Sequence, residues 1–313
     1  MFMHQMDVSA AYLNSDLQDV VYMRQPEGKE DFVDIKLQIA QEFEVVDGGE
    51  LKHFLGMEIE RDGETGSVAI GHKQYIDGLL RDYGMEDCKP NATPLENLCV
   101  LEDCPRANQK QYLLYLAMTT RPDIVHCVAK LAQTCSDPHK EHEVAAKRVL
   151  RYLKGTSSLK LHFVRNGVPV HCFVDADWAG DCTDRKSFSG WAFFLAGAAF
   201  SWESKKQSII ALSSTEAEYV ALSTAAKESA YVLKLISEMG FETAPTLMIY
   251  SDNQSAQYAE LRRNPQSQGY STFCFKNRAI ESQVGRQDAL DEKASLNFIR
   301  RALQNLLDVS LEY

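Results

Sequence analysis

The sequence predicts a mixed α/β fold, one sheet with flanking helices, across its second half, and three observations lead there. From Val170 onward the apolar pattern reads strand, strand, strand, helix, strand, helix, the order of a layered α/β unit. A long helix spans about Ser214 to Met239, and the runs on either side of it have strand character. Acidic residues stand at the edges of three elements: Asp175 at the end of an apolar strand, Glu218 in the first turns of the long helix, and Asp252 after the strand Leu247 to Ser251. Strand ends and helix starts of such a sheet converge on one edge, where ligands bind. Carboxylate oxygens without nitrogen or sulfur partners suit hard cations, so Mg2+ or Mn2+ is the expected cofactor.

At the start of the chain, QMDVSAAYLN (5–14) sets Asp7 five positions before Tyr12; alone, such an Asp reads as a cap or loop residue. After a polar break at Gly28 to Asp31, the apolar residues Ile35, Leu37, Ile39, Ala40 and Phe43 predict a short helix stopped by Gly48-Gly49. Leu51 to Glu60 alternates Leu55, Met57 and Ile59 against Gly56, Glu58 and Glu60 and predicts a strand, turning at Asp62 to Gly66 into Ser67 to Gly71. A helix with Tyr75, Ile76, Leu79, Leu80 and Tyr83 on one side follows and ends at Gly84. Three prolines mark Cys88 to Arg106 as a long loop.

Gln109 to Gly155 is helical in three pieces, the second opening at Arg121-Pro122-Asp123 and the third at Asp137-Pro138. On the third, Lys147, Arg151 and Lys154 form a stripe that either tracks a phosphate backbone or is a solvated face. Ser157 to Pro169 reads as a boundary. Beyond it come strands at Val170 to Asp175, Phe188 to Leu195 and Phe200 to Glu203, then the long helix. Gln266 to Ser295 reads as polar and irregular, with a last helix near Leu296 to Leu307.

A chain of 313 residues is long enough for two cores, and 45% hydrophobic with 25% charged residues is ordinary for a globular protein. No apolar run approaches the roughly 20 residues that cross a bilayer, so no membrane partner is expected. The N-terminus lacks a basic stretch followed by an apolar one. The expectation is therefore an intracellular protein, in cytoplasm or nucleus, without a secretion signal. Eight cysteines without a C-x-x-C pair favour reduced thiols over disulfides or zinc. The net charge of −11 excludes nucleic-acid binding over the whole surface and leaves room for a local basic groove.

Several of these residues also have structural readings. Ser213 to Glu216 and Thr215 to Glu218 both match a capping box, so Glu218 has a capping role open to it. Asp252 is placed to cap the helix after it. Trp178, Trp191 and Trp202 read as core or strand-face packing rather than base-stacking platforms.

Taken together, QMDVSAAYLN, YMRQPEG, GELKHFLGMEIERD, MTTRPDI, AAKRVLRYLKGT, VDADWAGD, WESKKQ, ALSSTEAEYVALS and DNQSA resemble, in that order, the Pol polyprotein of copia-type LTR retrotransposons in its reverse transcriptase and RNase H region. The likeness runs to about Pro265. It implies an RNase H-like mixed sheet with flanking helices at 168–313, divergent after 265. Before it stand a partial reverse-transcriptase palm and thumb remnant at 1–95 and a helical connection at 96–160. It implies that Asp175, Glu218 and Asp252 are RNase H carboxylates holding two ions that bridge a scissile phosphate. It implies that Asp7 and Tyr12 are vestiges of the polymerase site, the first metal-binding aspartate and the aromatic that excludes a ribose 2′-hydroxyl. Arg185, Lys186, Lys205 and Lys206, with Lys147 and Arg151 of the earlier stripe, become candidates for holding phosphates. The implied partner is an RNA–DNA hybrid, with a second Pol chain as a further candidate.

The departures from the family are informative. Where it carries a Tyr-Val-Asp-Asp hairpin, this chain has Phe32-Val33-Asp34-Ile35 without the second aspartate, and most of the fingers and palm is missing. Polymerase activity is therefore expected to be lost. Gln266 to Ser295 replaces the histidine-bearing stretch of RNase H, and none of Asp288, Asp291 and Asp308 has the spacing of its fourth aspartate. The expectation is an internally deleted, C-terminally truncated Pol fragment. It would be an RNase H-type endoribonuclease if three carboxylates suffice, and otherwise a silent nucleic-acid-binding remnant.

Overall fold

The computed structural model describes residues 4–8, 41, 45–95, 112–135, 140–181, 183–241, 247–253 and 273–277. The chain divides into two units, Met1–Leu55 and Gly56–Tyr313. In the first, β1 (His4–Val8) pairs antiparallel with β2 (Val45–Glu50), and β3 (His53–Phe54) follows. Gly48 and Gly49, expected to stop a helix, lie inside β2. Gln5 faces Gly49 and Met6 faces Asp47, so Gly48 is the extra residue of a bulge. A glycine marks a bulge as readily as a helix end, and the pairing that distinguishes them is distant in sequence. The strand expected over Leu51 to Glu60 is broken at Leu55 and Gly56, both with left-handed angles (φ 49° and 79°). Two such residues in succession turn the chain whatever alternation flanks them. Tyr12, Phe32 to Ile35, Asp137-Pro138 and the helices expected after Asn253 and at Leu296 to Leu307 lie outside the described residues.

The second unit opens with a small antiparallel sheet of β4 (Met57–Arg61), β5 (Val68–Gly71) and β6 (Leu161–Phe163). The last strand falls inside the segment read as a boundary. Between β5 and β6 run α1 (Lys73–Asp82), α2 (Tyr112–Thr119), a 3-10 turn at Pro122–Ile124, α3 (Val125–Ala132) and α4 (Lys140–Gly155). The end of α1 has its expected glycine: Gly84 is left-handed (φ 61°), and the Met85 N–H returns to the Leu80 carbonyl at 2.8 Å.

Arg121, only 2% exposed, ties these helices together. Its guanidinium grips Asp123 through Nε (2.9 Å) and Nη2 (2.7 Å) and donates to Thr156 at the end of α4. Asp123 also accepts the Tyr152 hydroxyl at 2.8 Å. A buried charge is tolerated when it is paired and hydrogen-bonded in this way.

The main sheet contains β7 (His171–Asp177), β8 (Phe188–Leu195), β9 (Ala198–Lys206), β10 (Leu247–Ser251) and β11 (Phe273–Asn277), in the order β11-β10-β7-β8-β9. Strands β7, β8 and β9 form an antiparallel meander whose second hairpin turns on left-handed Ala196 and Gly197, while β10 and β11 run parallel to β7. Helix α5 (Ser214–Glu238) makes the crossover from β9 to β10. The architecture is α+β with a mixed sheet.

Alternation along the strands sorts side chains between two cores. Cys172, Val174, Trp191 and Phe193 pack with Ala221, Leu222, Ala225 and Val232 of α5. Ala192 and Phe194, with Phe173 against them, belong instead to a core shared with Ile76, Leu116, Val149 and Leu153 of the earlier helices. With both faces covered, β8 is buried at every position except Leu195. Fully buried Phe188 and Phe193 each contribute roughly 1.5–3 kcal/mol of apolar burial.

Strand β11 lies where the sequence reads as irregular; the alternating aromatics Phe273 and Phe275 were its signal. Among the described residues no helix is long and apolar enough to cross a membrane.

Candidate metal centre

Register explains how the three acidic residues meet. Strands β10 and β7 are parallel with Met248 opposite His171 and Tyr250 opposite Phe173, and two more residues along each strand set Asp252 beside Asp175. Helix α5 starts at the same edge. Ser213 caps it, its hydroxyl accepting the Glu216 N–H at 3.2 Å, and the Glu216 carboxylate accepts the Leu212 N–H at 2.7 Å. Capping therefore falls to Ser213 and Glu216, and Glu218 is turned to the site and buried. One carboxylate oxygen from each of Asp175, Glu218 and Asp252 lies within 4.8 Å of the others.

Three carboxylates this close cannot all stay ionised without a counter-charge. Burial, then the charge and hydrogen bond of Asp175, then the charge of Asp252, push the Glu218 carboxyl up to about 9. Without a metal, the trio therefore favours keeping a shared proton at neutral pH. Asp175 Oδ1 accepts the N–H of Ala176 at 2.8 Å, which orients that carboxylate. Glu218 Oε2 is buried with no hydrogen-bond partner among the described residues, a lone-pair site still to be satisfied. The exposed Asp252 leaves one side open. All-oxygen donors, an unsatisfied buried oxygen and mutual repulsion fit a hard divalent cation.

Asp177 has a different task. Its Oδ1 accepts the Phe188 N–H, and burial raises its pKa. A Cβ on Gly180 would lie 1.8 Å from Asp177 Oδ2, so only glycine lets the β7–β8 connection fold back here.

The basic residues singled out in the sequence divide by their surroundings. Lys206 is held by Asp181 (2.6 Å) and Asp184 (3.0 Å) of the β7–β8 connection. Lys186 stands 3.9 Å from Asp184. Arg185 and Lys205 are exposed, with no ion pair among the described residues. On α4, Lys147 pairs with Glu143 at 2.5 Å. Arg151 donates to the Lys89 carbonyl at 2.7 Å, Arg148 to the Thr93 hydroxyl at 2.8 Å, and Lys154 to the Glu86 carbonyl. Much of the stripe thus fastens the 86–93 segment onto α4, a role that spacing along one helix cannot reveal. Asp7 lies on β1, opposite Val46, in the first unit.

The tryptophans divide as well. Trp191 is buried in the sheet core and Trp202 donates to the Ala117 carbonyl at 2.8 Å, both packing residues as expected, but Trp178 is exposed. Its place just past a strand end, beside Ala179 and Gly180, was the available signal.

No family model and no solved structure matches the chain. It is 34% identical over 237 residues to the retrovirus-related Pol polyprotein from transposon TNT 1-94 of Nicotiana tabacum, covering 71% of this chain and 18% of that protein. It is 36% identical over 230 residues to the retrovirus-related Pol polyprotein from transposon RE1 of Arabidopsis thaliana, covering 70% of this chain and 16% of that protein. It is 34% identical over 204 residues to an uncharacterized mitochondrial protein of Arabidopsis thaliana, covering 61% of this chain and 82% of that protein. The chain therefore spans less than a fifth of the length of the two polyproteins it matches.

Proposed function

Because the chain belongs to the retrovirus-related Pol polyproteins of copia-type transposons, we propose that its region 168–313 is RNase H-like and hydrolyses the RNA strand of an RNA–DNA hybrid at Asp175, Glu218 and Asp252. The observation that carries this reading is the approach of the three carboxylates to within 4.8 Å at one edge of a mixed sheet. Asp175, Glu218 and Asp252 would hold Mg2+ or Mn2+, which supplies Lewis-acid polarisation of the phosphoryl oxygens and an acidified water.

The protein's own groups set up that chemistry. Loss of the Glu218 proton leaves three carboxylates whose charge more than offsets one divalent cation, and the Ala176 N–H keeps Asp175 oriented. Burial of Glu218 excludes water from the back of the site, while exposed Asp252 faces the side from which a phosphodiester arrives. Arg185 and Lys205 are the exposed cations available to its phosphates. Polymerisation is not part of the proposal, since Asp7 has no second aspartate of the expected hairpin.

The test is cleavage of an end-labelled RNA–DNA hybrid by the purified chain in Mg2+ and in Mn2+, with Asp252→Asn as control. Metal-dependent cleavage lost in the variant supports the enzyme. Hybrid binding without cleavage above the variant would replace it with the second reading, a silent binding remnant.

A further inference from the structure

Trp178 is pinned yet exposed. Its indole N–H donates to the Ala211 carbonyl at 3.0 Å, and 53% of the residue still faces solvent. That bond ties it to the loop between β9 and α5, where Ile209, Ile210 and Leu212 are 48%, 54% and 85% exposed. The loop is held at both ends. The Gln207 N–H donates to the Ser187 carbonyl at 2.8 Å, and its side-chain amide donates to Ser189 Oγ and the Ala217 carbonyl, each at 2.9 Å. At the other end Glu216 accepts the Leu212 N–H. An apolar ledge is thus fixed between the end of β7, just beyond Asp175, and the start of α5, which carries Glu218.

Cations border this ledge. Arg185 and Lys186 close the connection that Trp178 opens, the Asp181 N–H returning to the Lys186 carbonyl at 3.1 Å. Lys205 stands opposite Ser189, which in turn stands opposite Ala176. Contiguous exposed apolar side chains on a pinned loop mark a contact surface. Cations on one flank and a cation-seeking acidic trio on the other select a polyanion with apolar faces, which describes a nucleic-acid strand.

We propose that Trp178, backed by Ile209, Ile210 and Leu212, is the platform on which a base or sugar of the bound hybrid rests when its phosphate reaches the carboxylates. This rests on the hybrid reading above and adds to it a residue that positions the strand.

The experiment is fluorescence anisotropy of a labelled RNA–DNA hybrid titrated with the full chain in EDTA, for wild type, Trp178→Ala and Trp178→Phe. Loss of one aromatic–base contact weakens Trp178→Ala on the order of 10-fold. The salt dependence stays unchanged, because no charge is removed. Trp178→Phe restores most of the affinity. Hybrid also quenches tryptophan emission in wild type and not in Trp178→Phe. Wild-type affinity in Trp178→Ala overturns the platform and leaves the hybrid reading standing. No hybrid binding by wild type removes the hybrid reading and the platform with it. If Trp178→Ala melts early, Leu212→Ser decides in the same assay: weakened binding supports the ledge, and unchanged binding overturns it.

Discussion

Replacing Glu218 by glutamine will stabilise the metal-free protein at pH 8 and remove its response to Mg2+. Burial and the neighbouring Asp175 and Asp252 push the Glu218 carboxyl up to about 9 in the fold, against an ordinary value of 4.5. Between those values the folded state keeps a proton that the unfolded chain has released. Stability contributed at this position is therefore greatest below about pH 4.5, falls as the pH rises toward 9, and levels off above it. Each pH unit across that window costs about 1.4 kcal/mol, which sets a ceiling of about 5 kcal/mol at pH 8. Coupling to Asp175 and Asp252 spreads that cost over the trio, and about 1–3 kcal/mol is expected for Glu218 itself.

Glutamine keeps the shape of the protonated acid, donates a hydrogen bond, and has no charge to bury. In EDTA at pH 8, Glu218→Gln will melt about 3–8 °C above wild type, and the two will converge near pH 5. Mg2+ will raise the wild-type melting temperature and leave that of the variant nearly unchanged. The assay is thermal denaturation followed by circular dichroism from pH 5 to 9, with and without metal. A variant that melts at or below wild type at pH 8 in EDTA, or a gap that ignores pH, would show that burial of Glu218 charge does not destabilise the metal-free fold.

Arg121→Ala strands Asp123 inside the helical core and will cost about 3–5 kcal/mol by urea unfolding, with much of it recovered in Arg121→Met/Asp123→Leu. Gly180→Ala forces a methyl against Asp177 Oδ2 and will cost about 1–3 kcal/mol; hydrogen exchange at the Phe188 amide will report the loosened connection. Arg185→Ala and Lys205→Ala will each lower the salt slope of hybrid binding by about 0.9. Lys206→Ala, which removes the partner of Asp181 and Asp184, will act on the melting temperature instead.

Local pattern carried the elements whose periodicity is strong. The long helix is observed at Ser214–Glu238, and Leu247–Ser251 is a strand with the expected bounds. The three carboxylates were nameable because each sits at an element edge, and the structure brings them together through the parallel register of β7 and β10. Features set by distant contacts were not legible. The bulge at Gly48 depends on pairing with β1, far away in the chain. The basic stripe of α4 reads as either a phosphate track or a solvated face, and only the fold shows Arg148 and Arg151 fastened to the 86–93 segment. The fold leaves Trp178 outside the core in which Trp191 and Trp202 pack, and its place just past the end of β7 was the one hint of this in the sequence. Glu218 illustrates how competing roles are resolved: its capping-box spacing is real, but Ser213 and Glu216 take the cap.

Whether Asp175, Glu218 and Asp252 hold a divalent cation is decided by calorimetric titration of Mn2+ into the metal-free chain at pH 7.5 in two buffers of different ionisation enthalpy. Saturable binding with proton release is expected, because the proton on the trio must leave, with both lost in Asp175→Asn. Absence of saturable binding, or binding undiminished in Asp175→Asn, would contradict that expectation.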